Sequence, residues 1–206
     1  MKIAIIGGTG KLGLGLAARL VQSPHEAAIG SRDAQKAEQA AAGLNERVRG
    51  MSNVAAANWC DAAVLTLPYS AHQATLESLR EGLRQKIVID ATVPLDFNNL
   101  FRPATKSGNS AAEETNALLT DAKVFAAFQT ISHRILRIVD RVEDVLVAGT
   151  SERKDEVLQL LRDLRLRPID AGPLEAARLL ECMTALLLSI NKQNKVKEAG
   201  LKVTGV

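Results

Sequence analysis

A run of glycines near the start of the chain has the residue types and the spacing of a nucleotide-binding turn. Five glycines fall within the thirteen residues IIGGTGKLGLGLA, Ile5–Ala17. Three follow the G-x-G-x-x-G spacing, in which Gly8 makes the turn, Gly10 lets the backbone approach a pyrophosphate, and Gly13 lets helix and strand pack closely. The N-terminus of the helix that follows would bind the anion. The pattern predicts a dinucleotide site, and a glycine-rich turn without a ligand is the competing interpretation.

A second group of residues indicates which dinucleotide would bind. Enzymes that use NAD place Asp or Glu at the end of the second strand, about 20 residues further on, to hold the ribose hydroxyls. Here the sequence is GSRDAQK, with Ser31 and Arg32 at that place and Lys36 four positions beyond Arg32. A hydroxyl and two cations suit a 2'-phosphate, which predicts NADP. Asp33 comes one or two positions late for the ribose and is predicted to cap the next helix. An exposed Arg and Lys on a solvated face are the alternative.

Other chemistries lack their residues. A Walker A loop is excluded because Leu12 follows Lys11, where Ser or Thr would bind magnesium. Short-chain dehydrogenases need a Tyr-x-x-x-Lys pair, but the one tyrosine, Tyr69, is followed four positions later by Gln73. Hydroxyacid and imine reductases carry a large second helical domain, whereas fewer than 60 residues follow Ser151. There is little room for such a domain.

The elements that position these residues alternate along the chain. Short apolar runs rich in β-branched residues predict strands, and segments of helical period predict helices between them. The predicted strands are 2–7, 26–31, 62–68, 86–92, 123–131, 144–150 and 167–172, and the predicted helices are 11–23, 33–48, 70–83, 151–166 and 173–194. Strands that are apolar throughout are typical of a parallel sheet covered on both faces. We expect an α/β fold of Rossmann type, doubly wound with a mostly parallel sheet, in residues 1–150, followed by a small helical extension in 151–206.

One irregular stretch interrupts this alternation. Residues Val93–Ser110 contain two of the six prolines and end in a Ser-x-x-Glu capping box, Ser110 with Glu113, which predicts the start of a helix. A long loop at the carboxyl end of a parallel strand is where such sheets bind ligands.

Composition excludes several function classes. The 206 residues are 47% hydrophobic and 24% charged, as expected for one globular core. The net charge is +3, but six aromatic residues and no recognition-helix motif do not favour nucleic acid. No apolar stretch reaches the roughly 18 residues of a membrane span, and the first apolar run breaks at Gly7, so we expect a cytoplasmic protein. Cys60 and Cys182 form no Cys-x-x-Cys pattern and are both expected to be buried, and no metal site is expected.

The chain resembles the NADPH-dependent reductases of the deazaflavin coenzyme F420, also called 8-hydroxy-5-deazaflavin:NADPH oxidoreductases. The resemblance covers nearly the whole chain and rests on IGGTGKLGLGLA, GSRDAQKAE, AVLTLP, QTIS and RPIDAGPLEAARLLECMT, of which the last is the most specific. It implies a Rossmann sheet with a small C-terminal extension that completes the acceptor pocket and the dimer contact. It also implies a homodimer that passes hydride between nicotinamide C4 and deazaflavin C5, with NADP and coenzyme F420 as the two small-molecule partners.

The same resemblance assigns residues to the two ligands. NADP would be held by Gly8, Thr9, Gly10, Lys11, Leu12, Gly13, Ser31, Arg32 and Lys36, flanked by Leu67, Pro68 and Val93, with Thr130 and Ile131 against the nicotinamide. The acceptor pocket would include Thr184, Leu188, Gly200 and Leu201. The chain departs from the family at Gln129, Ser132 and Tyr69, where His, Pro and Trp are usual. Since these positions lie on the acceptor side, a flavin or metal-chelate acceptor and a non-catalytic NADP sensor stay open.

The chain has three histidines, the residue type most suited to acid-base chemistry near neutral pH. His25 falls in a helix-to-strand turn and is expected to be exposed, and His72 follows the predicted strand 62–68 near the cofactor edge. His133 follows the predicted nicotinamide loop and is the one candidate for a general acid, with a solvated loop histidine as the alternative. No residue is expected to be obligatory for proton transfer.

Overall fold

The computed structural model of the chain describes residues 1–96 and 108–206. The strands are β1 (Lys2–Ile6), β2 (Glu26–Ser31), β3 (Val48–Ser52), β4 (Ala62–Leu65), β5 (Ile87–Asp90), β6 (Lys123–Ala126), β7 (Asp144–Gly149) and β8 (Arg167–Asp170). The helices are α1 (Lys11–Val21), α2 (Ala34–Ala42), α3 (Asn53–Trp59), α4 (Tyr69–Leu79), α5 (Ala111–Leu118), α6 (His133–Leu136), α7 (Lys154–Asp163) and α8 (Ala177–Asn194). A 3-10 turn, Leu174–Ala176, leads into α8. Most of the predicted ligand loop, residues 97–107, lies outside the described residues.

The strands form one sheet in the order β3-β2-β1-β4-β5-β6-β7-β8. All neighbouring pairs are parallel except β6 with β7, which are antiparallel. The strand order reverses between β1 and β4, so the carboxyl ends of these strands open a crevice where α/β sheets bind ligands. The predicted Rossmann-type, mostly parallel sheet is confirmed.

Both faces of the sheet are covered, and side chains of β1 point alternately to each. Ile3 and Ile5 pack in a cluster with α1, α2 and α7, whereas Ala4 and Ile6 pack in a second cluster with α3 and α4. This two-sided burial explains why the central strands are apolar at every position rather than at every second one. Within the described residues, no helix is both long and apolar enough to cross a bilayer.

A buried arginine fixes α1 against distant parts of the chain. Arg19 is 1% exposed, and its guanidinium donates to the backbone carbonyls of Leu136 and Leu164 at 2.9 Å and Arg141 at 2.8 Å, among others. Burial lowers the pKa of Arg19, but the carbonyls supply the acceptors that a buried cation needs. The C-terminal end of α1 is therefore held in a fixed relation to the segments that follow β6 and α7.

The sequence prediction missed one strand, β3, and two short helices, α3 and α6. The predicted helix 33–48 ends at Ala42, where Gly43 interrupts it, and the chain continues into β3 and α3. β3 lies at the edge of the sheet and is only partly buried, so it lacks the apolar run that marks the inner strands. At Gly50 of β3 a Cβ would overlap the backbone of Glu38 in α2, which explains a glycine within a strand.

Two single-residue predictions were wrong. His25 is not exposed, because its side chain is 9% accessible and its Nε2 lies 3.0 Å from a carboxylate oxygen of Asp163. Cys60 is buried as expected, and burial raises the pKa of its thiol to about 11, but Cys182 lies on the exposed side of α8. The predicted capping box at the start of α5 is confirmed, since the Ser110 hydroxyl and the Glu113 carboxylate each bond the other's backbone N–H.

Candidate functional site

The glycine turn between β1 and α1 is held by backbone contacts. Gly7 has φ +70°, a conformation that favours glycine, and its N–H donates to Asn53 Oδ1 at 3.2 Å. A Cβ on Gly13 would lie 2.5 Å from the Cα and carbonyl oxygen of Gly8, so only glycine allows α1 to approach the turn this closely. The packing role predicted for Gly13 agrees with this geometry. Asn53 was not predicted, because it lies in the stretch where α3 was missed.

Gly10 differs from the other glycines of the turn because no close contact within the protein requires a glycine at this position. It is the N-cap of α1, and a Cβ added there would meet no atom nearer than the Gly7 carbonyl oxygen, at 3.7 Å. No side chain caps α1, and its first turn contains no acidic residue. Free N–H groups under an open surface are what an anion needs at a helix N-terminus. These residues fit the pyrophosphate of a dinucleotide.

The end of β2 presents two cations beside the turn. The Ser31 hydroxyl, 8% exposed, accepts the Asp33 N–H at 3.2 Å. Arg32 is exposed, and its guanidinium makes no hydrogen bond or ion pair with residues 1–96 or 108–206. Lys36 Nζ is exposed and 3.8 Å from a carboxylate oxygen of Asp33. Asp33 caps α2 by accepting the Lys36 N–H, as predicted. The cations remain available to a 2'-phosphate.

A cleft of about 330 Å³ opens beside the start of α1. Its walls come from the ends of β5 and β6, from α8 and from the C-terminal tail. The candidate acid His133 lines it, together with six residues predicted to contact the two ligands: Leu12, Val93, Thr130, Ile131, Thr184 and Leu188. The structure thus brings residues from separate parts of the sequence to one cavity. A cleft with such apolar walls suits a planar ring system.

Other predicted residues lie elsewhere. Leu67 reaches the turn, since its Cδ2 would be 2.8 Å from a Cβ on Gly7, and Pro68 is the N-cap of α4. Gly200 and Leu201 do not line the cleft; Leu201 packs instead on the cluster formed by β6, β7 and α8. The tail contributes Lys197 and Ala199 to the cleft in their place.

The loop that follows β6 is fixed by α8 and β5. The Thr184 hydroxyl donates to the Gln129 carbonyl oxygen at 2.7 Å, and Gln129 Nε2 donates to the Asp90 carbonyl oxygen at 2.8 Å. Phe128, one residue earlier, has φ +75°, a left-handed conformation that is rare for an aromatic residue. Contacts on both sides therefore hold Thr130 and Ile131 in place against the cleft.

A buried polar network behind this loop was not predicted. Asp90 ends β5 and is fully buried; its Oδ2 lies 2.8 Å from His72 Nε2 and accepts the Thr115 hydroxyl at 2.6 Å. Its Oδ1 accepts the Thr92 N–H at 2.8 Å. Burial acts to raise the pKa of Asp90, but His72 and these hydrogen bonds outweigh it and lower the pKa. His72 is thus a buried partner of Asp90 rather than a residue of the cleft. The polar residue that ends the apolar run KIVID was the available signal.

A second buried carboxyl joins α8 to α5. Glu181 is 6% exposed, and its oxygens accept the N–H groups of Ala111 at 3.1 Å and Ala112 at 3.4 Å. Burial, with the nearby charges of Asp90 and Glu113, raises the pKa of Glu181 to about 8 despite those bonds. Glu181 is therefore mainly protonated at pH 7.

His133 lies in the cleft but is a poor cation. Burial and the positive charges of Lys11 and Arg134 lower its pKa from the ordinary value for histidine. The lowered pKa disfavours the protonated imidazole, which is the form that a general acid would need.

Comparisons with known proteins agree with this geometry. Residues 2–94 match the family described as NADP oxidoreductase, coenzyme F420-dependent. The chain is 40% identical to the F420-dependent NADP reductase of Methanothermobacter marburgensis, covering 100% of this chain and 99% of that protein. It is 37% identical to the F420-dependent NADP reductase of Methanocaldococcus jannaschii, again over 100% and 99%. A crystal structure from Arthrobacter sp. FB24, described as a candidate F420-dependent NADP reductase, superposes with a TM-score of 0.86 at 26% identity, with both chains fully covered.

Proposed function

The chain belongs to the family of coenzyme F420-dependent NADP oxidoreductases, and from that premise we propose that it transfers a hydride between NADP(H) and coenzyme F420 by direct stacking of the two rings. The observation that carries the proposal is the cleft that joins the start of α1 to the loop after β6 and to α8. The enzyme is an NADP-dependent oxidoreductase. Two relatives that match the full length of the chain are F420-dependent NADP reductases. They favour F420 over the flavin and metal-chelate acceptors that the sequence left open.

Binding of NADP is assigned to the two halves of the first βαβ unit. The N–H groups at the start of α1 would hold the pyrophosphate, and Gly10 leaves room for it. Ser31, Arg32 and Lys36 would hold the 2'-phosphate, because Arg32 has no competing partner in the described chain. Leu67 and Pro68 would flank the dinucleotide, and Thr9 would lie beside the pyrophosphate.

The proposed mechanism relies on proximity rather than on an acid. When NADPH and oxidised F420 are both bound, a hydride would pass from nicotinamide C4 to deazaflavin C5 and leave NADP+. The electron pair would spread to the pyrimidine ring, where a proton from solvent would add at nitrogen. Thr130, Ile131 and Val93 provide the walls that would hold the two rings about 3 to 3.5 Å apart. His72 is bound to Asp90 in the buried network, and the lowered pKa of His133 disfavours its protonated form, so the proposed mechanism uses neither histidine as the proton donor.

The finer assignments of organisation belong to the same proposal. Residues 1–150 would bind NADP, and residues 151–206 would complete the acceptor pocket through α8 and the tail residues Lys197 and Ala199. An apolar stripe on α8, Leu179, Leu186 and Ile190 with Cys182, is exposed on the side opposite the cleft and supports a homodimer. Free thiols at Cys60 and Cys182 suit a cytoplasmic location, where cysteines stay reduced.

The test is single-turnover hydride transfer with saturating NADPH and oxidised F420. The loss of the deazaflavin absorbance measures its rate. The wild-type protein should bleach F420 with NADPH and far more slowly with NADH. Ile131→Gly, which loosens the stack, should slow the step more than His133→Ala, which should cost less than about tenfold. A loss of about a thousandfold in His133→Ala with unchanged NADPH binding would replace the stacking mechanism by an acid-dependent one. NADPH binding without any F420 reduction would overturn the proposed function.

A further inference from the structure

We infer that Gln129 is a ligand-binding residue of the cleft. Its side-chain Oε1 accepts a hydrogen bond from an amide-type N–H on a ring bound there. The inference rests on the proposed function, because both of its rings carry such a group. The nicotinamide has a carboxamide NH2, and the pyrimidine ring of a deazaflavin has an imide N–H. The observation that carries it is a buried acceptor with no partner on the wall of the cleft.

Hydrogen bonding fixes which end of the Gln129 amide is free. Gln129 lines the cleft and is 6% exposed. Its nitrogen lies 2.8 Å from the Asp90 carbonyl oxygen, which can only accept, so the NH2 group must face Asp90. Its Oε1 has no hydrogen-bond partner among the described residues. Buried acceptors are normally paired, so this oxygen lacks a donor that a ligand held against the Gln129 side chain would supply.

The surroundings keep this amide from turning to find another partner. Thr184 of α8 donates to the Gln129 carbonyl oxygen at 2.7 Å, which fixes the backbone. Asp90 is itself held by His72 and Thr115. Gln129 is thus supported by α8 on one side and by β5 on the other, as a preorganised contact should be.

One other buried side-chain atom in the described chain lacks a partner, the Thr92 hydroxyl oxygen, but it does not share the argument. Thr92 is 2% exposed and does not line the cleft, whereas its neighbours Ala91 and Val93 do. The assignment is therefore specific to Gln129.

The experiment compares affinities for ligands that differ only in the N–H group, with no turnover needed. In the first arm, calorimetry gives the Kd of NADP+ and of its 3-acetylpyridine analogue, in which a methyl group replaces the carboxamide NH2. In the second arm, it gives the Kd of oxidised F420 and of a deazaflavin methylated at the imide nitrogen, in the presence of NADP+. The wild-type protein should prefer the N–H ligand roughly three- to tenfold in one arm.

The variant Gln129→Met keeps the length of the side chain but removes the acceptor, and should reduce that preference to about one. Asn191→Leu is the matched control. Asn191 also lines the cleft, but its Oδ1 already accepts the Ala199 N–H at 2.9 Å, so the preference should survive. Loss of the preference in the first arm assigns the contact to the nicotinamide, and loss in the second assigns it to the deazaflavin.

The inference is overturned if the preference in Gln129→Met equals that of the wild type in both arms. Should Gln129→Met fail to fold, the wild-type measurement decides, because a wild-type preference near one in both arms also overturns it. Failure of the proposed function would look different, since it would appear as wild-type protein that binds NADP+ but neither binds nor reduces F420.

Discussion

At the scale of single residues, the proposed preference for NADP rests on Arg32, which has no partner among the described residues. Because Arg32 has no ion pair to give up within the described chain, a contact with a 2'-phosphate would be gained at little cost. Charge-assisted hydrogen bonds are worth about 1.5 to 3 kcal/mol, so Arg32→Ala should weaken NADPH binding about ten- to a hundredfold and change NADH binding little. Fluorescence titration with both nucleotides measures this. Arg49→Ala is the control, since Arg49 of the edge strand β3 already forms an ion pair with Glu26 of β2, at 3.7 Å. Equal binding of NADPH and NADH by the wild type would contradict the prediction.

Glu181 gives a pH dependence at the same scale. Its folded pKa of about 8 lies above the unfolded value of 4.5, so its stabilising effect is complete below pH 4.5 and is lost as the pH rises towards 8. Glu181→Gln mimics the protonated form and escapes that loss. The variant should match the wild type near pH 4.5 and become more stable by pH 8, by at most about 5 kcal/mol. Thermal unfolding from pH 4.5 to 8 tests this, with the exposed Glu46→Gln as control. A stability difference that does not grow with pH would contradict it.

At the scale of elements, two glycines of the turn between β1 and α1 test helix packing and ligand binding separately. Gly13→Ala places a Cβ against Gly8, so it should lower both the melting temperature and the affinity for NADPH and NADH alike. Gly10→Ala meets nothing closer than 3.7 Å, and its φ of −77° is open to alanine, so folding should be nearly unchanged. Its Cβ would occupy the approach of the pyrophosphate and should cost about tenfold or more in affinity for both nucleotides. Normal NADPH binding by Gly10→Ala would show that the turn binds no ligand.

The elements also show how far sequence reasoning reaches. The inner strands, α1 and the Asp33 cap were predictable, because burial on both faces and helix capping leave local patterns. β3, α3 and the single turn α6 were not, since an edge strand and short helices carry too few apolar positions. At the site, residue types predicted the cations at Arg32 and Lys36. The network around Asp90 joins residues 18 and 25 positions away, and only the folded sheet brings them together.

At the scale of the whole molecule, α8 has one face that lines the cleft and an opposite face that is apolar and exposed. Thr184 and Leu188 line the cleft, while Leu179, Leu186 and Ile190 are 63%, 54% and 39% exposed on the opposite side. Positions three, four and seven apart on a helix share a face, so these three form one continuous apolar stripe. A stripe of this kind on a second copy of the chain would bury it through a twofold contact.

Placing a charge in that stripe therefore tests the assembly. Leu186→Glu should convert a dimer into a monomer, as measured by light scattering after size exclusion, because an unpaired carboxylate cannot be buried in an apolar contact. Val54→Glu is the control, since Val54 is 48% exposed on α3, far along the sheet from α8. NADPH affinity should change less than about threefold in the monomer, because the residues proposed to hold the pyrophosphate and the 2'-phosphate lie at β1, α1 and β2, away from α8. F420 turnover should fall, because α8 lines the cleft and would lose its support. A wild-type protein that is monomeric at micromolar concentration would contradict the proposed dimer. A Leu186→Glu variant that remains dimeric would show that the α8 stripe is not in the dimer contact.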